Sequence, residues 1–193
     1  AAACCCFMTF FVVHAIEARR GGRCLSTNLR DFITEVINKF VEASSRGSTM
    51  LEGMLDAAEA SAAMERLQAL LQRNPPSPKE QNWDWQQERL LIHEAIRERR
   101  TSPDGVFDPA NKYNGHPVSS MYFGSYCMDG LAMALWALWN SSSFSSCLLR
   151  AINLLGDADT VGAVAGQLAG AIYGWRELSA DDWVSSCISD LKR

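Results

Sequence analysis

Two carboxylates and a hydroxyl fall within one short stretch of the chain, Gly156-Asp157-Ala158-Asp159-Thr160-Val161-Gly162. Carboxylate and hydroxyl oxygens are hard donors, the set that Mg²⁺, Mn²⁺ or Ca²⁺ prefers. The stretch lies between two runs with helical spacing, and a turn lets alternate side chains converge on one point where a helix interior does not. A competing use stays open: Asp157 or Asp159 caps the helix that follows, accepting from its free N–H groups. That helix carries Gly162, Gly166 and Gly170 at four-residue intervals, with Ala163, Ala165 and Ala169 beside them. One face is nearly bare, so it can lie close to another helix or to a ligand. Glycine inside a helix costs about 0.5–1 kcal/mol relative to alanine, and a row of them implies that close approach is required.

Other candidates are weaker. Glu88, Glu94 and Glu98 read as the solvated face of a charged helix. His14, His93 and His116 have no partner visible in the sequence, and His14 on an apolar helix reads as a core or interface residue. No residue can be named as general acid or base, so the catalytic residues are unknown from the sequence.

The elements that must hold these groups are helical. The spacing predicts helices over 4–18, ending at Gly21-Gly22, and from about Asn28 or Ser26 as cap through Phe32, Ile33, Val36, Ile37, Phe40 and Val41. A third covers 50–73, with Leu51, Leu55, Met64, Leu67, Leu70 and Leu71 on one face. The prolines of 74–78 break the chain, a charged helix is expected over 83–100, and 101–120 reads as a long loop. Helices over 126–139, 143–154 and 160–173 follow, and Ser179-Ala180-Asp181-Asp182 resembles a capping box for a last one. No strand pattern is evident, so the fold class is all-α, with a single domain over 1–193 and loops at 74–82 and 101–120.

Composition sets outer limits. The 193 residues are 48% apolar and 21% charged with a formal charge of −4, which suits a globular chain and gives no basic face for nucleic acid. The seven cysteines are odd in number and contain no CxxC pair, so reduced thiols and an intracellular, cytoplasmic setting are expected rather than a disulfide framework. Ala1 to Ile16 is almost wholly apolar, broken by Thr9 and His14. Its basic residues, Arg19, Arg20 and Arg23, follow the run instead of preceding it, against a signal peptide. The run is short of the ~20 residues of a membrane span. It reads as a buried helix from the middle of a larger fold, in a chain cut from something longer.

The segments Gly124 to Trp139, Ser142-Ser143-Phe144 and Ala151 to Gly174 closely resemble the C-terminal part of the ADP-ribosylglycohydrolases, the family of the dinitrogenase reductase activating glycohydrolase. The acidic turn, the Gly/Ala helix and the closing Tyr173-Gly174 carry most of the likeness, which is strongest over 124–183. The resemblance implies an all-α fold, a site with two metal ions (Mg²⁺ or Mn²⁺), and hydrolysis of the glycosidic bond between ADP-ribose and a protein side chain or conjugate. It places Asp157, Asp159 and Thr160 on metal ligands, with Asp159 bridging, and Ser125 and Tyr126 on a substrate-contacting turn. Tyr126 has an alternative use as an aromatic packed on the core.

The family's Gly-Asp segment and Thr-Asp-Asp-Thr-like cluster, which supply its other metal ligands, are not in this sequence. Asp181-Asp182 follows a different pattern, and Leu155 stands where the family usually has a second glycine. The expectation is half a metal site, incomplete in this chain alone. The other reading is a non-catalytic member serving as an ADP-ribose-binding or crystallin-like structural module. The partner implied is an ADP-ribosylated protein or conjugate, with no nucleic acid and no membrane, and the apolar N-terminal helix offers a surface for self-association.

Overall fold

In the first helix, α1 (Ala2–Arg20), Ala3, Phe7, Phe11 and Ala15 repeat every four residues and are all buried. Phe7 meets Phe40 edge-on at 5.2 Å between ring centres, and Phe11 meets Phe32 at 5.7 Å. Phe32 and Phe40 belong to α2 (Leu29–Ser45), which buries Phe32, Ile33, Val36, Ile37 and Phe40 as the period predicts. Such ring pairs add about 0.5–1.5 kcal/mol beyond the area they bury. The helix is long and apolar enough to cross a membrane, yet this stripe is part of a protein core. Burial is one-sided: Val13 and Ile16 are 44% and 42% exposed, where the sequence reads as a buried helix.

The structure, a computed structural model, describes residues 1–45, 56–74, 83–90, 112–113, 116–117, 126–154 and 156–191. Seven α-helices stand among them, so the all-α expectation holds. One departure is a two-residue antiparallel ladder, β1 (Lys112–Tyr113) with β2 (His116–Pro117), inside the expected loop. The third helix, α3 (Ala57–Leu71), starts where the Asp56 carboxylate accepts from the Glu59 N–H at 2.8 Å, and it buries Met64, Leu67, Leu70 and Leu71. Leu51 and Leu55 lie outside the described residues.

The charged helix expected from residue 83 does not form over 83–90, which are turns and bends. Trp83 and Trp85 are both buried, and their indole N–H groups donate to the Asp129 carboxylate at 2.9 Å and the Leu70 carbonyl at 3.0 Å. Burying two tryptophans two residues apart, each tied by its indole N–H to a different partner, suits a non-helical chain, in which such side chains share a side. Glu88 sits in this turn; Glu94 and Glu98 lie outside the described residues.

The C-terminal helices are α4 (Cys127–Trp139), α5 (Phe144–Ile152), α6 (Ala158–Ala180) and α7 (Asp182–Leu191). Every residue of α4 from Met128 to Leu138 is buried, making it the central helix. A capping box between Ser143 and Ser146 opens α5. The cap of α7 is Asp181, whose carboxylate accepts from the Trp183 and Val184 N–H groups at 3.1 and 3.2 Å and from Ser145. The Ser179 box expected there does not form, because the Ser179 hydroxyl donates back to the Arg176 carbonyl.

The glycine row of α6 meets a row of large side chains on α5. A Cβ on Gly162 would lie 3.2 Å from Ile152, on Gly166 3.5 Å from Leu148, and on Gly170 4.0 Å from Phe144. The bare face is therefore spent on a neighbouring helix, not on a ligand. The descending pairing also makes α5 and α6 antiparallel.

At Gly174 the backbone leaves the helix with φ 69° and ψ 169°, a region open essentially to glycine alone. The Arg19 guanidinium fills the space a Cβ would occupy there and donates to the Ile172 carbonyl at 2.6 Å. Gly174→Ala is expected to destabilise the fold by about 1–3 kcal/mol, whereas Gly166→Ala is expected to be neutral or stabilising by up to about 1 kcal/mol. Urea unfolding of the two variants beside the parent checks this; equal losses would mean that Gly174 is an ordinary packing position.

Candidate functional site

Three contacts fix which helix ends lie together. Cys4 Sγ donates to Met128 Sδ at 3.4 Å, joining the starts of α1 and α4. Arg19 reaches Ile172, joining the end of α1 to the end of the straight part of α6. The Tyr173 phenol is approached by Ser141, just past α4, joining the far ends of α4 and α6. With α5 running back between them, α1, α4 and α6 all start at one end of the bundle. Tyr126, before α4, and the acidic turn, before α6, sit at that shared end. Helix starts carry partial positive charge and unpaired N–H groups.

The turn opens at Gly156, whose φ of 73° puts it in the left-handed region that glycine enters without strain. Asp157 is the N-cap residue of α6, but its side chain makes no cap hydrogen bond. Asp159, in the first helical turn, is exposed; the Asp157 carboxyl first, then the backbone N–H groups of Thr160 and of Asp159 itself, hold its pKa below the ordinary aspartate value. Of the two uses the sequence leaves open, capping thus falls partly to Asp159. The Asp157 carboxyl is directed at its neighbour. Thr160 is exposed beside them. The Asp157 and Asp159 carboxyls are brought together, with the Thr160 backbone N–H on Asp159, and carboxylate and hydroxyl oxygens are hard donors of the kind a divalent cation takes. Among the described residues no group of three or more His, Cys, Asp or Glu side chains is placed to hold a metal.

Tyr126 is 42% exposed, with the Arg66 guanidinium of α3 5.9 Å from its ring centre. The same guanidinium lies 5.7 Å from the Trp83 ring. Burial raises the Tyr126 pKa, with Arg66 opposing. The ring is therefore presented at the surface and not packed in the core. Ser125 lies outside the described residues. The sequence reading passed over Asp129, which is 2% exposed and takes the Trp83 indole N–H. The signal was available: Asp129 is the one acidic residue in the otherwise apolar α4, and a buried carboxylate must be hydrogen-bonded. His14 stacks on Phe10 at 4.0 Å with Nδ1 at 2.9 Å from the Phe10 carbonyl, a satisfied structural role.

The family description ADP-ribosylglycohydrolase matches residues 1–191 of the chain. The chain belongs to the ADP-ribosylglycohydrolase family. Among curated relatives, it is 44% identical over 80 residues to an "ADP-ribosylarginine hydrolase Tri1" of Pseudomonas putida (strain GB-1), covering 42% of this chain and 21% of that protein. It is 36% identical over 95 residues to the protein of the same name from Serratia proteamaculans (strain 568), covering 46% and 26%. An "ADP-ribosyl-[dinitrogen reductase] glycohydrolase" of Rhodospirillum rubrum is 38% identical over 69 residues, covering 36% and 23%. The matched parts thus span between 21% and 26% of the length of these relatives. No solved structure matches the chain.

Because its folded-state pKa is depressed, Asp159 contributes stability that is present above the ordinary aspartate value and lost as pH falls through its folded value. Following the Asp159 carboxyl carbon by NMR against pH is expected to give a midpoint below 3.8. In Asp157→Ala it should move upward while staying depressed by the backbone N–H groups. A midpoint unmoved by that substitution would separate the two carboxylates.

Proposed function

We propose that this chain carries the acidic turn of a metal-dependent ADP-ribosylglycohydrolase, which hydrolyses the glycosidic bond between ADP-ribose and a protein side chain. The observation that supports it best is Asp157, placed at a helix cap yet making no cap bond, with its carboxyl against Asp159. Two carboxylates held together are mutually repulsive unless they share a proton or a cation. Asp157, Asp159 and Thr160 would hold the cation, Mg²⁺ or Mn²⁺, from one side. When bound, such an ion supplies Lewis-acid orientation of the ribose and activation of water.

The chain's own residues have narrower tasks. The N–H groups at the start of α6 hold Asp159 ionised and fixed. Tyr126 presents a ring face at the same end, suited to contact with substrate, and Arg66 sets that ring's position by cation–π attraction. Ser125 belongs to the same proposed substrate turn. The names of the curated relatives, an ADP-ribosylarginine hydrolase and an ADP-ribosyl-[dinitrogen reductase] glycohydrolase, support an ADP-ribosylated protein as partner. The seven unbridged cysteines support an intracellular setting, where thiols stay reduced.

A second reading, an ADP-ribose-binding or structural module without catalysis, draws on the partial ligand set among the described residues. Thermal melting with Mg²⁺ or Mn²⁺, with and without ADP-ribose, separates the two. A cation at about 100 times its Kd adds about 2.7 kcal/mol, a Tm rise of about 5–10 °C for a chain of this size. The proposal expects that rise in the parent and its loss in Asp159→Ala. A rise with ADP-ribose alone, unchanged by the substitution, supports the module, and no rise in a folded chain contradicts both.

A further inference from the structure

Arg66, on α3, brings a positive charge to the end where Tyr126 and the acidic turn lie. It is exposed, between the buried Met64 and Leu67. Its guanidinium carbon lies over two rings at once, 5.7 Å from the centre of Trp83 and 5.9 Å from that of Tyr126. Both distances are within cation–π range. Trp83 is a firm support. It is fully buried, and its indole N–H donates at 2.9 Å to the Asp129 carboxylate, which is itself 2% exposed. Asp129 thus anchors Trp83, and Trp83 carries Arg66. Tyr126 is 42% exposed, so its ring keeps area to offer a ligand.

Cation–π contact uses the face of a guanidinium, while its five N–H groups lie in the plane and leave from the edge. A planar fork held by its face is therefore pre-organised for bidentate contact with phosphate oxygens. Other arginines are committed to acceptors of the protein: Arg19 to the Ile172 carbonyl, Arg23 to Glu35 and Arg73 to Asp84. The acidic turn repels anions, so a phosphate-bearing ligand at this end needs an opposing charge to meet it. We infer that Arg66 binds the diphosphate of a nucleotide whose remaining surface lies against Tyr126. The inference rests on the proposed function, since ADP-ribose carries such a diphosphate. Asp129 and Trp83 are positioning residues: they hold the guanidinium and do not touch the ligand.

The test is an NMR titration of the folded, isotope-labelled chain with ADP-ribose, ADP and adenosine. The Arg66 Nε–H signal is expected to shift with the first two and to stay in place with adenosine, which has no phosphate. Arg66→Ala should weaken ADP-ribose binding by about 10-fold or more, the scale of a hydrogen bond to a charged group, and leave adenosine unchanged. Arg66→Lys, which keeps the charge without the fork, should fall between, with circular dichroism showing each variant folded. ADP-ribose binding unchanged in Arg66→Ala overturns the inference and leaves the proposed function standing. An equal loss for adenosine does the same, since Arg66 would then only hold the Tyr126 ring. Arg66-dependent binding of ADP with none of ADP-ribose bears out the site and contradicts the proposed function. Binding of neither nucleotide contradicts both.

Discussion

Close packing between α5 and α6 is the constraint on which the rest of the architecture depends. Gly162, Gly166 and Gly170 meet Ile152, Leu148 and Phe144 in register, so α6 lies tight against α5 and returns parallel to α4. The approach is tightest at Gly162, where a Cβ would press on Ile152 at 3.2 Å, and relaxes to ordinary contact distance at Gly166 and Gly170. The helix-propensity cost of the glycines, about 0.5–1 kcal/mol each, is offset by the apolar contacts the approach allows. The row ends at Gly174, where the backbone turns out of the helix and Arg19 takes up the carbonyl of Ile172. One helix is thereby located at both ends, by packing along its length and by a charged clasp at its close.

Locating α6 locates its first turn. The starts of α1, α4 and α6 share an end, so several sets of unpaired N–H groups and partial positive charges face the same way. The acidic turn sits on that positive end, where ionised carboxylates are favoured, and the Asp157 carboxyl first, then the backbone N–H groups of Thr160 and Asp159, hold the Asp159 pKa down. The same end carries the half-exposed Tyr126 and the Cys4–Met128 contact. The chain's membership in the ADP-ribosylglycohydrolase family is what the proposed reading of this end rests on, and the geometry sets Asp157 against Asp159 there.

Much of this was legible in the sequence, for identifiable reasons. The period of Phe32, Ile33, Val36, Ile37 and Phe40 prescribes α2, and those residues are the ones buried. The Gly/Ala row announces close approach, though not the partner, since only the register with α5 decides between helix and ligand. The turn at 83–90 was not legible: a charged, Gln- and Glu-rich stretch has the composition of a helix, and the burial of both Trp83 and Trp85 is a tertiary demand. The cap of α7 was misplaced by two residues, because Ser179 and Asp181 are both good caps and the choice rests on Ser145. In the site, three oxygen donors could be named from spacing and resemblance, but that Asp157 makes no cap bond is a property of the folded turn.

The central claim is that a divalent cation binds at the end where α1, α4 and α6 begin. Paramagnetic broadening of backbone amide signals by substoichiometric Mn²⁺ tests it most directly. The account predicts selective broadening at Asp159 and Thr160 and, from across the shared end, at Cys127 to Asp129. Arg19, Ile172 and Asp181 should stay sharp, since the straight part of α6 separates the two ends by about 21 Å at 1.5 Å per residue. Broadening centred on Asp181 and Asp182, or spread evenly over the chain, would contradict it.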